Sequence, residues 1–343
     1  MSVALPAMIF VALLNIKIEL SLLYLPILAL AFNFIMVLAT SYMLPVFGIE
    51  KDSSTNRTLT MLLPSLAPGL SCFPYVLEYL GEDMFAWAAL ADVGNKIFVL
   101  IILYMLAMSW FYKRQSGKTT VSNNEKLKSL ALSLVREPVN MVIITALLLL
   151  SLGLNLDSLP YFLQNAAGRL SAMMTPLILL FIGLAVRVQR GQLKTILSLL
   201  VWRSGIAFAA SAGLIFVLPE ATPAAVLLLA VAFPQSSASF WPFAHISAVS
   251  SLEDASTPEG GHTFDRDLAL AVLAFSLPFS TIIILTICSV GGAFFVSPLN
   301  LLATGFILIA SGALPFIIDK LKEKSKSVVV EDEGEISVVA EKA

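Results

Sequence analysis

Charge is what this 343-residue chain has least of: only 13% of its residues are charged, while 58% are hydrophobic. Soluble domains carry about a quarter charged residues, so a water-facing globular fold is excluded and an integral membrane protein is indicated. Histidine and cysteine are nearly missing, with two of each. His245 and His262 make no metal-ligand spacing with Cys72 or Cys288, so no metal is expected. Both cysteines fall in apolar segments and read as packed thiols rather than a disulfide, since a free thiol behaves as a small hydrophobe. No Walker loop, nucleophile elbow or cofactor motif occurs, which leaves ATP-driven transport and intramembrane hydrolysis without support. The chain therefore reads as a non-enzyme without a cofactor. A net charge of −2 gives no argument for a nucleic-acid partner. The first apolar run has no basic region before it and no small-residue cleavage site, so no signal peptide is expected.

What the chain does contain is apolar runs of about 20 residues, the length of membrane-crossing helices rather than of barrel strands. About ten are expected, near 2–17, 21–46, 58–80, 84–112, 138–156, 168–187, 194–218, 223–246, 267–290 and 293–318. Alternate loops carry the basic residues: Lys51 and Arg57, then Lys113 to Arg136, then Arg187, Arg190 and Lys194, then Arg266, then Lys320 to Lys326. The intervening loops hold Lys17 with Glu19, then Glu78, Glu82 and Asp83, then Asp157, then Glu220. The positive-inside rule makes the first set cytoplasmic, with both termini inside and the chain multi-pass in a cell membrane. Asn56-Arg57-Thr58 matches a glycosylation sequon, but a cytoplasmic loop would not be glycosylated. The polar stretch 114–137, rich in Ser, Thr, Gly and Asn over Gln115 to Asn124, reads as a cytoplasmic linker. The tail 319–343 has a lysine cluster followed by Glu331-Asp332-Glu333, and its composition predicts disorder.

The most informative stretch is Leu62 to Pro74, apolar enough for a bilayer yet interrupted by Pro64, Pro68, Gly69 and Pro74. Proline removes a backbone donor and clashes with the preceding turn. Unpaired backbone is tolerated at membrane depth only inside protein or along a wet cavity. Phe233-Pro234-Gln235-Ser236-Ser237 supplies a matching break in the second half. From Pro6 to Pro68 and from Pro176 to Pro234 the separation is roughly 60 residues, as an internal repeat would give. The loop charges run the two halves in opposite directions, the inverted-repeat architecture of many secondary transporters. The division expected is 1–113 for a first repeat, 138–290 for a second, and 291–318 for an additional helix. The first repeat supplies four helices where the second supplies five, so it lacks an opening helix.

Three stretches carry a resemblance: Leu5-Pro6-Ala7-Met8-Ile9-Phe10; Gly69-Leu70-Ser71-Cys72-Phe73-Pro74 followed by Gly81; and Thr175 to Leu184. With these the chain resembles the auxin efflux carrier family, which includes plant PIN carriers and bacterial organic-acid permeases. The family pattern at the first break is Asn-Thr-Gly-x-x-Gly-x-Pro. Gly69 and Pro74 match it, whereas Ala67, Pro68 and Cys72 stand where Asn, Thr and Gly are usual. The resemblance implies an all-α inverted repeat with two broken crossover helices and elevator-like alternating access. It further implies small carboxylates as cargo, moved outward or exchanged, and a homodimer is compatible with it. The bile acid:sodium symporter family shares that architecture, so a sodium-coupled symporter is an alternative. A non-transporting membrane receptor or scaffold, using the linker and tail as its binding surface, is another.

The break residues Pro68, Gly69, Ser71, Pro74, Pro234, Gln235, Ser236 and Ser237, with Ser239, are the candidates for substrate binding. Half-helix N-termini present free N–H groups that favour carboxylates; the alternative is that the prolines only kink helices for packing. Asp92, Asn95 and Lys96 are the candidates for proton or Na⁺ coupling, because Asp92 and Lys96 share a helix face at i,i+4 in an apolar run. The alternative is a self-neutralising structural pair. Arg203, inside an apolar run, is expected to snorkel toward the cytoplasmic interface. Glu137 reads as a charge at a helix N-terminus, and Asn140 is a minor site candidate. His245 and His262 are expected at the surface.

Overall fold

The structure, a computed structural model, describes residues 24–115, 151–173, 190–255, 261–289 and 292–340, with single positions elsewhere. The segment expected at 2–17, the linker 114–137, and Glu137 and Asn140 lie wholly or largely outside the described residues, and the segments expected at 138–156 and 168–187 are described only in part. Among the described residues the chain is helical, with no strand. Six helices among the described residues are long and apolar enough to cross a membrane: Tyr24–Met43, Glu82–Arg114, Gln192–Val217, Ala224–Asp254, Arg266–Ser289 and Pro298–Ile318. The last, at 21 residues, is about 31 Å long and matches a hydrocarbon core of roughly 30 Å. The protein is thus an all-α membrane protein.

In chain order, α1 is Tyr24–Met43 and α2 is Ser54–Leu62. Ser53 opens α2 by accepting the Asn56 N–H at 3.0 Å through its hydroxyl, an ordinary N-cap. The chain then leaves helical geometry over residues 63–67 and resumes in two short pieces, α3 (Pro68–Ser71) and α4 (Phe73–Leu80). The reason is local: Pro64 and Pro68 have no N–H to donate, and Leu63 and Ala67, which precede them, are restricted as well. Gly81, at φ +89°, turns the chain into α5 (Glu82–Ile97). A π-helical segment, Phe98–Ile102, joins α5 to α6 (Leu103–Gln115). Next come α7 (Tyr161–Ala172) and α8 (Arg190–Val217). The second broken span follows as α9 (Ala224–Ala232), a 3₁₀ turn over Phe233–Gln235, an extended stretch over residues 236–239, and α10 (Phe240–Ala255). The described chain ends with α11 (Arg266–Ser289), α12 (Gly292–Phe295) and α13 (Pro298–Ala340).

Two close helix contacts position the interior. At Gly94 of α5 an added Cβ would overlap the Pro26 carbonyl of α1, so only glycine allows these helices to touch there. That contact carries Asn33 of α1 to Asn95 of α5. At the far side α8 lies against α13: a Cβ on Gly205 would stand 2.7 Å from Gly305 O, and one on Gly312 would stand 2.7 Å from Ser198 O. Small residues are what permit such backbone approach in membranes, where van der Waals packing rather than the hydrophobic effect joins helices. α13 is thereby fastened to the core of the protein. It continues to Ala340, past the point where composition predicts disorder. Lysine and glutamate are good helix formers, and α13 provides a preformed turn to extend.

At one end of the bundle the residues before α11 are clamped to α2 and α10. Arg57 of α2 donates through Nε to Thr263 O at 2.8 Å and also to Asp52 O. The buried Glu253 carboxylate accepts the Thr263 N–H at 3.0 Å as well as its hydroxyl, and His262 Nδ1 stands 3.4 Å away. Thr58 Oγ1 receives the Asp265 N–H at 2.9 Å. His262 is exposed, as composition suggests, but His245 is 4% exposed. The π segment accounts for this second difference. A π turn displaces carbonyls from the α-helical ladder, and His245 Nε2 lies 2.8 Å from Val99 O, to which it must donate.

Candidate functional site

The two interrupted spans meet. The Ala67 N–H donates to Ser237 O at 2.8 Å, and the Ser237 N–H donates to Ser71 Oγ at 2.9 Å. Ser65 Oγ accepts the Ser239 N–H at 3.0 Å. Both breaks also use one local device. Ser65 donates through its N–H (3.1 Å) and its hydroxyl (2.6 Å) to Leu62 O, and Ser236 does the same to Phe233 O at the same distances.

Arg203 of α8 sits between them, 2% exposed. It donates through Nε to Leu63 O at 2.7 Å and through Nη2 to Ser65 O at 3.1 Å and Ser236 O at 2.8 Å. These carbonyls close the two half-helices α2 and α9, where orphan acceptors and the negative end of the helix dipole both favour a cation. The expected snorkelling toward the interface does not occur. Two breaks offer this guanidinium three carbonyls in the interior, which is a better bargain than stretching to water. Ser204, the next residue, donates to Gln235 Oε1 at 2.7 Å and accepts Gln235 Nε2 on its carbonyl at 3.1 Å.

The accounting of amides changes the chemistry expected of this region. The remaining donors are placed too: Leu66 N–H on Asn95 Oδ1 at 3.2 Å and Ala238 N–H on Ser276 Oγ at 3.2 Å. Every N–H in the extended stretches 65–67 and 236–239 thus has a partner inside the protein. The bare amides that proline-broken helices predict are not found there. Serine supplies the reason, since each hydroxyl can donate and accept at once.

A cavity of about 220 Å³ opens beside the first break. Pro68 and Gly69 line it together with Asp92, Asn95 and Lys96, and Ser239, Phe240 and Trp241 at the start of α10 close another wall. The other candidate residues lie elsewhere. Ser71, Gln235, Ser236 and Ser237 are buried in the crossing, Pro74 is exposed on α4, and Pro234 faces a separate apolar cavity of about 460 Å³ between α1, α8 and α9. Asp92 and Lys96 pair at 3.2 Å, as their i,i+4 spacing predicts. Asn95 is the hub. Its Nδ2 donates to Leu66 O at 2.9 Å and Asp92 Oδ1 at 2.8 Å, and its Oδ1 accepts from Leu66 N–H and from Asn33 Nδ2 at 3.1 Å. One side-chain amide therefore replaces the helical partners that Leu66 loses at the break, and ties that residue to the charge pair.

Sequence reasoning overlooked Asn33 and misjudged Arg203. Asn33 is one of the few polar residues in the apolar run 21–46, and intramembrane polarity of that kind is itself a signal of a bonded partner. Comparison with protein-family models, with curated proteins and with solved structures finds no match for the chain.

Proposed function

We propose that this chain is a secondary carrier of small organic anions, built as an inverted repeat whose two broken helices cross at the transport site, as the resemblance to auxin efflux carriers implies. The observation that carries the reading is the crossing itself: two interrupted spans, internally satisfied, bridged by a buried cation and flanked by a small cavity into whose largely apolar wall Asp92, Asn95 and Lys96 are set. Broken helices at membrane depth are the usual location of a transporter's site. The cavity's 220 Å³ lies below the roughly 300–1,000 Å³ of pockets for drug-sized ligands, so the cargo is small. Its lining offers an ammonium at Lys96, a hydroxyl at Ser239, and the first turn of α10, whose dipole favours negative charge. Cargo moves outward or in exchange, with Asp92, Asn95 and Lys96 coupling it to an ion.

The test is uptake and counterflow of labelled acetate, lactate, succinate and citrate in proteoliposomes. Pro68→Ala and Pro234→Ala are expected to cut the rate at least tenfold while the protein still inserts. Flux no greater than in protein-free vesicles for all four anions refutes the carrier. A sodium-coupled symporter is the second reading: Asn33 Oδ1, fully buried and without a hydrogen-bond partner among the described residues, is an oxygen that a sodium ion would take as a ligand. Flux that requires sodium on the loading side would select that alternative.

A further inference from the structure

We infer that Lys96 is the counter-ion for the cargo carboxylate, and that Asp92 takes up one proton when it surrenders Lys96 to the cargo. This rests on the carrier reading and specifies how its site works. Three observations lead to it. First, the amides of both extended stretches are occupied inside the protein, so they cannot serve an anion without breaking the crossing. Second, Arg203 is spent on three carbonyls and does not line the small cavity, which leaves Lys96 as the cation that does among the described residues. Third, the two members of the pair are held unequally. The Asp92 side chain is 7% exposed and anchored by Asn95, whereas the Lys96 side chain is 28% exposed at the end of a flexible stem.

The exchange balances. In the empty site Asp92 carboxylate and Lys96 ammonium neutralise each other at 3.2 Å. A monocarboxylate entering the cavity competes with Asp92 for the same ammonium. If Lys96 turns to the cargo, Asp92 is left as an unpaired buried carboxylate, which is strongly disfavoured. A proton from bulk water on Asp92 Oδ2 removes that charge, while Oδ1 continues to accept from Asn95. An O–H bond forms at Asp92 Oδ2 as one breaks in hydronium, no other covalent bond changes, and the loaded site holds one anion and one proton more than the empty one. Among the described residues that line the cavity no other charge competes for the role. α1, packed on α5, has Tyr24 and Tyr42 and no charged residue; α9 has no titratable residue; α4 contributes Tyr75, Glu78 and Tyr79, of which Glu78 and Tyr79 are exposed. The buried Cys72 thiol lies between α3 and α4. Because Asn95 also binds the N–H and C=O of Leu66, the change at Asp92 is felt directly by the first break.

The experiment uses the purified full-length protein in weakly buffered detergent, with lactate as the probe and a pH-indicator dye as the readout. Wild type is expected to take up one proton per lactate bound, to bind more tightly as pH falls, and to show a new protonated-carboxyl band in its infrared difference spectrum. Asp92→Asn preserves the acceptor for Asn95 and leaves Lys96 unpaired. It should bind lactate with no proton uptake, no new band and an affinity independent of pH. Lys96→Gln should weaken lactate binding at least tenfold, and Lys96→Arg should restore it. Lactate binding by wild type without proton uptake, or proton uptake that persists in Asp92→Asn, overturns the exchange while leaving the carrier standing. Failure to bind or move any of the four carboxylates overturns both.

Discussion

Replacing Arg203 with methionine is the sharpest probe of how the two broken spans are held. Methionine fills much of the same volume and removes all three donors. Leu63 O, Ser65 O and Ser236 O then face each other without their shared cation. A buried acceptor left unsatisfied costs about 1–3 kcal/mol, so three of them cost roughly 3–9 kcal/mol. Against this stands the relief of no longer keeping a guanidinium out of water, worth several kcal/mol. The net expected loss is about 3 kcal/mol. Domains of 150–250 residues shift by about 2–4 °C per kcal/mol, and at the lower end this corresponds to a melting temperature about 6 °C below wild type. Arg203→Lys retains the charge but loses the fork that reaches both breaks, and should fall about halfway between. Thermal unfolding in detergent, followed by intrinsic fluorescence, reads both variants, with lactate flux as a second measurement. An Arg203→Met protein that melts within about 1 °C of wild type would falsify the idea that this side chain holds the crossing together.

Other substitutions test separate joints. Asn95→Leu strands both backbone groups of Leu66 together with Asn33 Nδ2, and should cost about 3 kcal/mol in the same unfolding assay; a loss below about 1 kcal/mol contradicts the hub. Gly94→Ala forces α5 away from Pro26 of α1 and should cost about 1–3 kcal/mol through overpacking, with a further loss of anion flux as Asn33 and Asn95 separate. Gly205→Leu wedges α8 from α13 at Gly305; engineered cysteine pairs across that seam should crosslink in the parent and not in the variant. Glu253→Ala removes the acceptor of the Thr263 N–H and hydroxyl and should destabilise by about 2 kcal/mol, read by a lowered melting temperature with lactate binding unchanged.

Much of this protein is determined within a few residues of any given position. Scarce charge and apolar runs of bilayer length place it in a membrane as helices. Proline sterics act on the residue itself and its nearest neighbours, so Pro64, Pro68 and Pro234 mark both interruptions without reference to the fold. The i,i+4 spacing of Asp92 and Lys96 follows from helix geometry alone, and so does their 3.2 Å pair. What became of the backbone groups freed at the breaks was decided elsewhere. Arg203 reaches a carbonyl 138 residues away, and Ser65 receives an amide from 174 residues away. A lone arginine in an apolar run fits snorkelling equally well until tertiary structure supplies its acceptors. His245 likewise looks peripheral by position and is buried because the π segment offers it Val99 O. Satisfying a polar group away from water requires a partner in space, and chain-local pattern carries no record of which distant partner arrives.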